Sequence, residues 1–274
     1  MRVATVNVNG IRAAVRKGMH EWVAQATPDI LLLQEVRAPE DILAELTAPG
    51  YTMYAHPSQL KGRAGVAIAV AHGIEVGEIR YGLPTGLAVA DAEPPVDTGR
   101  WIEADIPQFD TTFVSAYLHS GIADQEEKMA AKYAHLDRVT QRLQELRESA
   151  TGMSHVLVGG DFNIVHTERD IKNWKSNHNK TAGVLDAEIA YLTKWFEELG
   201  YVDAHRRLVG DAQGPYTWWS QRGQAFDNDA GWRIDYQMVC PQLAAAAQTA
   251  RVDRAPDYAS RWSDHAPLVM SYTL

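Results

Sequence analysis

Hydrophobic and polar positions along this chain switch repeatedly between two periods. Val3-Ala4-Thr5-Val6-Asn7-Val8 is a short, mostly apolar run that reads as a first strand, closed by the turn pair Asn9-Gly10. Met19, Trp22, Val23 and Ala26 return at helical spacing. Pro28-Asp29 ends that helix before a buried-type strand over Ile30 to Leu33. Val66 to Val70 and Thr112 to Leu118 read as further strands, and Trp101 to Ile106 alternates as a half-buried strand does. The longest helix follows Asp124, with Met129, Tyr133, Leu136, Thr140 and Leu143 on one stripe facing a core. His155 to Gly159 is a strand. Leu185 to Leu199 is a helix with the stripe Leu185, Ile189, Leu192, Phe196 and Leu199, and Arg233 to Cys240 and Pro267 to Thr273 close the chain as strands. No repeat, low-complexity tract or long linker interrupts this. Strands and helices mixed over the whole length predict one α/β domain over residues 1–274, with two sheets inside and helices outside.

Composition narrows the classes. A folded chain of 274 residues hides roughly 70–75% of its unfolded surface and needs no covalent staples. The single cysteine, Cys240, excludes a disulfide framework and a cysteine-based zinc site, and suits a reducing compartment. The opening MRVATVNVNG is too short and polar for a signal peptide, and no run approaches the ~18 apolar residues of a membrane span. A soluble, cytoplasmic monomer is therefore expected. A net charge of −9, from 26 basic and 35 acidic residues, argues against nonspecific coating of nucleic acid. It leaves room for a local phosphate-gripping cleft and for carboxylates gathered around a metal.

The chemistry-bearing residues interrupt strand ends, which are rigid platforms at a sheet rim. They are Asn7 with Asn9, Glu35, Asp161-Phe162-Asn163, Asp235, and Asp264-His265. A single strand-end Asp or Asn usually makes a turn or a helix cap. Several together, rich in carboxylate and amide oxygen and free of cysteine, suit Mg2+ or Mn2+ rather than zinc or copper. His265 has carboxylate partners within that set, and a carboxylate fixes an imidazole's tautomer and raises its basicity. The other nine histidines read as side chains satisfied by backbone carbonyls.

These residues fall in blocks that resemble the exonuclease III class of apurinic/apyrimidinic endonucleases, within the endonuclease/exonuclease/phosphatase superfamily. The blocks are Asn7-Val8-Asn9-Gly10, Leu33-Gln34-Glu35, Arg63-Ala64-Gly65-Val66-Ala67, Gly160-Asp161-Phe162-Asn163, Asp170-Ile171-Lys172-Asn173, Gly231-Trp232-Arg233-Ile234-Asp235-Tyr236 and Ser263-Asp264-His265-Ala266-Pro267. They run in order over nearly the full length. The fold expected is a four-layer α/β sandwich, two mixed β-sheets packed face to face with helices on the outside. The resemblance implies Mg2+, with Mn2+ as a substitute, held chiefly by Glu35 with Asn7 nearby and Asp161, Asn163 and Asp264 as further donors. It implies that Asp161 deprotonates the attacking water and that Asn163 stabilises the transition state. Asp235 would then orient His265, which contacts the scissile phosphate, and Tyr117 matches the family's active-site tyrosine.

On the substrate side, residues 169 to 180 form a basic stretch whose Asn173 and Asn177 match DNA-phosphate contacts of the family. Arg63, Lys172, Lys175 and Arg233 would supply local cations. Six of the eight tryptophans lie at or after residue 174. By the same resemblance, Trp218, Trp232 and Ile234 line a pocket for an extruded abasic sugar. Two departures stand out. After Tyr117 the family commonly places a proline two residues on, where this chain has Leu118-His119-Ser120-Gly121, and the 177–184 stretch runs one residue long, with Val184 in place of an aromatic. The implied activity is hydrolysis of duplex DNA 5′ to abasic sites, with 3′→5′ exonuclease and 3′-end cleaning. The alternatives are another metal-dependent phosphodiesterase of the superfamily, or a DNA-binding module with a silent metal site.

Overall fold

The computed structural model describes residues 1–83, 93–148 and 151–274. Twelve strands and eight α-helices are found among them. The first half carries β1 (Arg2–Asn7), α1 (Ile11–Arg16), α2 (Met19–Ala26), β2 (Ile30–Gln34), α3 (Leu43–Leu46), β3 (Tyr51–His56), β4 (Val66–Ala71), β5 (Ile79–Tyr81), β6 (Trp101–Ile106) and β7 (Thr111–Tyr117). There follow α4 (Glu126–Arg147), β8 (His155–Asp161), α5 (Trp174–Asn177), α6 (Asp186–Glu197), β9 (Val202–Asp203), α7 (Ala204–Val209), β10 (Asp235–Val239), α8 (Pro241–Ala246), β11 (Ala247–Val252) and β12 (Leu268–Tyr272).

The strands form two mixed six-stranded sheets, in the orders β11-β12-β1-β2-β4-β3 and β5-β6-β7-β8-β10-β9. Alternation along each strand sorts side chains between layers. Val3, Ile30, Leu32, Val66 and Ile68 from the first sheet meet Ile102, Ala104, Phe113 and Leu157 from the second in a central core. Ala4, Val6, Leu31 and Leu33 face outward onto α1 and α2. Val114, Ala116, Val156 and Val158 face outward onto α4 and α6. The result is the expected four-layer sandwich. The close approach is tightest at Gly159, where a Cβ would stand 2.5 Å from Leu32 Cδ1 of the other sheet.

One strand differs from its sequence pattern. β6 is buried on both faces because its polar residues are neutralised inside the fold: Glu103 is bridged by Arg80 and Arg142, and Asp105 by Arg80. Alternating polarity there marks buried ion pairs instead of a wet face.

Register explains why distant residues meet. β1 runs parallel to β2, with Asn7 opposite Gln34, and β7 runs parallel to β8, with Tyr117 opposite Asp161. β10 is antiparallel to β8, so its first residue, Asp235, pairs with the last of β8, Asp161. β12 is antiparallel to β1 and begins beside Thr5. All these termini therefore fall at one end of the sandwich.

Candidate active site

Glu35 is placed by a local constraint. It leaves β2 with φ 50°, a left-handed conformation that a glutamate adopts at a cost of order 1–3 kcal/mol. The turn is pinned from both sides: Gly10 N–H donates to Glu35 O (2.8 Å), Val36 N–H to Gly65 O (2.9 Å) and Arg37 N–H to Ala64 O (3.0 Å). The Arg63-Ala64-Gly65 block thus serves to hold the Glu35 turn. The Arg63 side chain is exposed and is not among the residues lining the cavity described below. Asn163 has φ 52° on the turn after β8, and its N–H donates to Asp161 Oδ1 (2.9 Å).

Side chains from four strands meet at this end. One amide nitrogen, Asn7 Nδ2, donates to both Glu35 Oε1 (3.0 Å) and Asp161 Oδ2 (2.9 Å), so it bridges the two sheets. Tyr117 Oη donates to the same Glu35 Oε1 (2.6 Å), and Arg37 pairs with the other carboxylate oxygen. His265 Nδ1 lies 2.9 Å from Asp235 Oδ2, while its Nε2 points to Asp161 Oδ2 at 3.7 Å. Ser263 Oγ donates to Asn7 O (2.6 Å), tying the His265 turn to β1. Asp264 accepts from Asn9 Nδ2 (2.8 Å) and Trp218 Nε1 (3.2 Å). Asn163 Nδ2 donates to Leu118 O (2.9 Å).

Burial sets the electrostatics. Asp161 is 1% exposed. Desolvation pushes its pKa up to about 7, with Asp235 and Glu35 adding to the rise against the opposing pull of His265. Burial alone would lower His265, but Asp235 and Asp161 overcome it and raise the imidazole to about 10. Near neutral pH the proton therefore sits on His265, and Asp161 is a carboxylate poised at the edge of protonation. Tyr117 is pushed well above the ordinary phenol value by burial and then by Glu35 and Asp161, so it acts as a donor.

These groups open into a cavity of about 820 Å3. Glu35, Tyr117, Asp161, Asn163, Asp264 and His265 reach it, and Trp218, Trp232 and Ile234 wall it. The Trp218 and Trp232 rings meet edge to face at 5.6 Å between centroids. Sequence reasoning missed the rest of the wall, Arg37, Ser120 to Asp124 and Lys180 to Ala182. The two departures from the family pattern, at Leu118 to Gly121 and at 177–184, flagged Ser120, Gly121 and the last of these without assigning them a place in the wall. Asn173 and Asn177 are not in this wall. Asn173 lies on a separate recess with Lys172 and Lys175, and Asn177 is engaged within its own turn by Asn173 O and Thr181 Oγ1.

Arg233 requires a correction. It was expected to grip phosphate, but it is fully buried, paired with Asp170 (2.7 Å) and Asp203 (2.7 Å). Two neighbouring carboxylates consume its charge, leaving none for a ligand.

The donor chemistry fits a hard divalent cation. Carboxylates and amides converge without cysteine, the one imidazole is held by Asp235, and Asp235 Oδ1 is buried with no hydrogen-bond partner among the described residues. Asn7 turns its amide nitrogen to the carboxylates, so as it stands it bridges them rather than offering them an oxygen. Among the described residues, Glu35, Asp161 and Asp264 do not bring one donor atom each within 4.8 Å of one another.

The molecule is thus a double-sheet sandwich with an acidic, histidine-bearing site at its strand tips. The model of the endonuclease/exonuclease/phosphatase family matches residues 4–265, and the chain belongs to that family. Over 269 residues it is 31% identical to an exodeoxyribonuclease of Bacillus subtilis (strain 168), covering 98% of each chain. The structure of an AP endonuclease from Archaeoglobus fulgidus superposes with TM-score 0.82 at 28% identity, covering 100% of both chains. That of a 3′ phosphatase from Neisseria bound to product DNA hairpin superposes with TM-score 0.83 at 27% identity, also covering 100% of both.

Proposed function

We propose that this chain is a Mg2+-dependent DNA repair nuclease, with Mn2+ as a substitute. It hydrolyses the phosphodiester 5′ to an abasic site in duplex DNA, leaves a 3′-hydroxyl, and also works at 3′ ends as an exonuclease and end-cleaning enzyme. The observation that carries this reading is the placement of Asp161, a buried carboxylate held between the His265–Asp235 pair and the Asn7–Glu35 pair at the mouth of a tryptophan-walled cavity. The relatives named above are described as an exodeoxyribonuclease, an AP endonuclease and a 3′ phosphatase. Those are the same bond type attacked at different positions along a strand.

Glu35, with Asp161, Asn163 and Asp264, would hold the cation, which would supply neutralisation of the charge that gathers on the phosphoryl oxygens. The protein's own groups do the rest. Asp161 accepts the proton of a water aligned opposite the leaving oxygen. His265, kept cationic by Asp235, donates Nε2–H to a non-bridging oxygen, while Asn163 and Tyr117 add neutral donors. The water oxygen bonds to phosphorus, the P–O3′ bond breaks, and the 3′ oxygen takes a proton from solvent water to leave as a hydroxyl, while the proton held by Asp161 returns to solvent. Trp218, Trp232 and Ile234 receive the extruded sugar. Extrusion costs least where pairing is already lost, which selects abasic sites without sequence readout.

The test is a labelled duplex carrying an abasic analogue, incubated with protein and Mg2+ and then with a DNA polymerase. A nick 5′ to the analogue that the polymerase extends, abolished by chelation, is the expected result. No nick, or a nick leaving an end that cannot be extended, overturns the reading.

A further inference from the structure

Behind the tyrosine of the site lies a cluster that the hydrolytic reading does not use. Asp97 sits in the turn before β6, His119 two residues beyond the end of β7, and His135 on the inner face of α4; all are buried. Asp97 Oδ1 lies 2.5 Å from His119 Nε2 and 3.5 Å from His135 Nδ1, and the two rings are 5.0 Å apart between centroids. One donor atom from each residue falls within 4.8 Å of the others. Donors around a tetrahedral zinc ion stand roughly 3.3 Å apart, so the observed spacings straddle what a metal would impose.

The strongest pointer is His135. It is fully buried, and among the described residues neither of its ring nitrogens has a hydrogen-bond partner. An unpaired imidazole at that depth is unfavourable, because each of its polar atoms has given up water without gaining a partner. The half-buried His20 and His56 bond backbone carbonyls, whereas the fully buried His135 and His205 have no hydrogen-bond partner among the described residues. Of these two, His135 lies in a cluster of three metal-ligating side chains, its Nδ1 facing Asp97. Arg138 pairs with the other carboxylate oxygen of Asp97, leaving Oδ1 to the histidines.

We propose that Asp97, His119 and His135 form a second metal site, separate from the strand-tip carboxylates, which takes a divalent transition metal of the zinc class. Two imidazoles and one carboxylate suit such an ion, whereas oxygen-only donors suit magnesium. The site draws on three separate parts of the chain: the turn before β6, the segment after β7, and α4. Its place gives it work. It would fasten the β6 turn and α4 to the segment following Tyr117, alongside Arg100, which lies over the Tyr117 ring and bonds the carbonyl of Val96.

Cobalt(II) is the probe, because imidazole-ligated cobalt of low coordination number absorbs strongly in the visible while oxygen-ligated octahedral cobalt is nearly colourless. Metal-free full-length Glu35→Ala protein, in which the strand-tip site is disabled, is titrated with Co2+ and then with Zn2+. One coloured Co2+ per chain, displaced by Zn2+ and accompanied by a rise in Tm, is expected. In the Glu35→Ala background, His135→Leu, which keeps the packing volume, should abolish the colour. His119→Gln should weaken cobalt binding on the order of 100-fold or more, since even the outer partners of a ligand are worth roughly 10–100-fold. His119→Gln also serves if His135→Leu fails to fold. The absence of coloured binding in the parent protein, or its survival in a folded His135→Leu or at full strength in His119→Gln, overturns the proposal. None of these readouts depends on nuclease activity, so the proposal stands or falls apart from the function above.

Discussion

Asp161 and Asp170 are both buried carboxylates on the stretch leaving β8, yet their surroundings differ at nearly every contact. Asp170 accepts from Arg233 (2.7 Å) and Arg206 (2.5 Å) on one oxygen and from the Thr167 backbone N–H (2.9 Å) on the other. Burial works to raise its pKa, but the two guanidinium groups overcome it and hold the carboxyl well below the usual range. Among the described residues, no arginine pairs with Asp161. Its charged neighbours include two carboxylates and one imidazole shared with Asp235, and it is driven up to about 7. A carboxylate whose charge is fully answered is structural; one left partly unanswered inside a cavity can exchange a proton. The position of each in the fold matches: Asp170 stitches Arg233 and Arg206 beneath a loop, and Asp161 faces the cavity.

Substitution should separate the two most sharply. Asp161→Asn is expected to lower the single-turnover rate of abasic-site incision by several orders of magnitude, with a Tm no lower than that of wild type above pH 7. The sign follows from linkage: a carboxyl with a raised folded pKa opposes folding once it is ionised, so removing the charge relieves the fold. A rate within tenfold of wild type would take the proton-accepting role away from Asp161. His265→Gln and Asp235→Asn remove the cationic donor and its support, and should each cost about 10²–10³-fold in the same assay. Equal losses in the double variant would mark them as one unit, while additive losses would break that pairing.

Asp170→Asn should do the reverse. It strands Arg233, which is fully buried, with Asp203 alone, and breaking such a pair costs about 3–5 kcal/mol. Calorimetry should record a Tm lower by on the order of 10 °C, with incision per folded molecule within a few-fold of wild type. Because the folded pKa of Asp170 is depressed, its stabilisation is present above the unfolded carboxylate value and is lost as pH falls toward the folded one. The gap between wild type and variant should therefore close on acidification. An activity loss rivalling that of Asp161→Asn would erase the contrast.

Much of this was legible in the chain. The β-branched and leucine runs of β1, β2, β4, β7 and β8 announce strands because burial on both faces leaves little polar interruption. The polar residues at their ends are conspicuous for the same reason. That those ends share one rim depends on strand order and direction, which local patterns do not encode; only the ordered family blocks pointed there. Pairing between remote charges was the part least visible. Arg233 looks like a free cation until Asp170 and Asp203 are folded against it, and Glu103 and Asp105 look solvent-facing until Arg80 and Arg142 arrive. Likewise His119 and His135, passed over as ordinary core histidines, meet only because β7 and α4 pack together. The edge strands β5 and β9 carry too few residues to show a period, and β11, though six residues long, buries none of them.

The smallest change to look for is spectroscopic and bears on the contrast itself. With selective carboxyl labelling, the 13C resonances of Asp161 and Asp170 can be followed by NMR in metal-free protein from about pH 4 to pH 9. Asp161 should titrate with a midpoint near 7 while Asp170 stays flat across the range. An Asp161 midpoint at the ordinary carboxylate value, or titration of Asp170 within that window, would contradict the account.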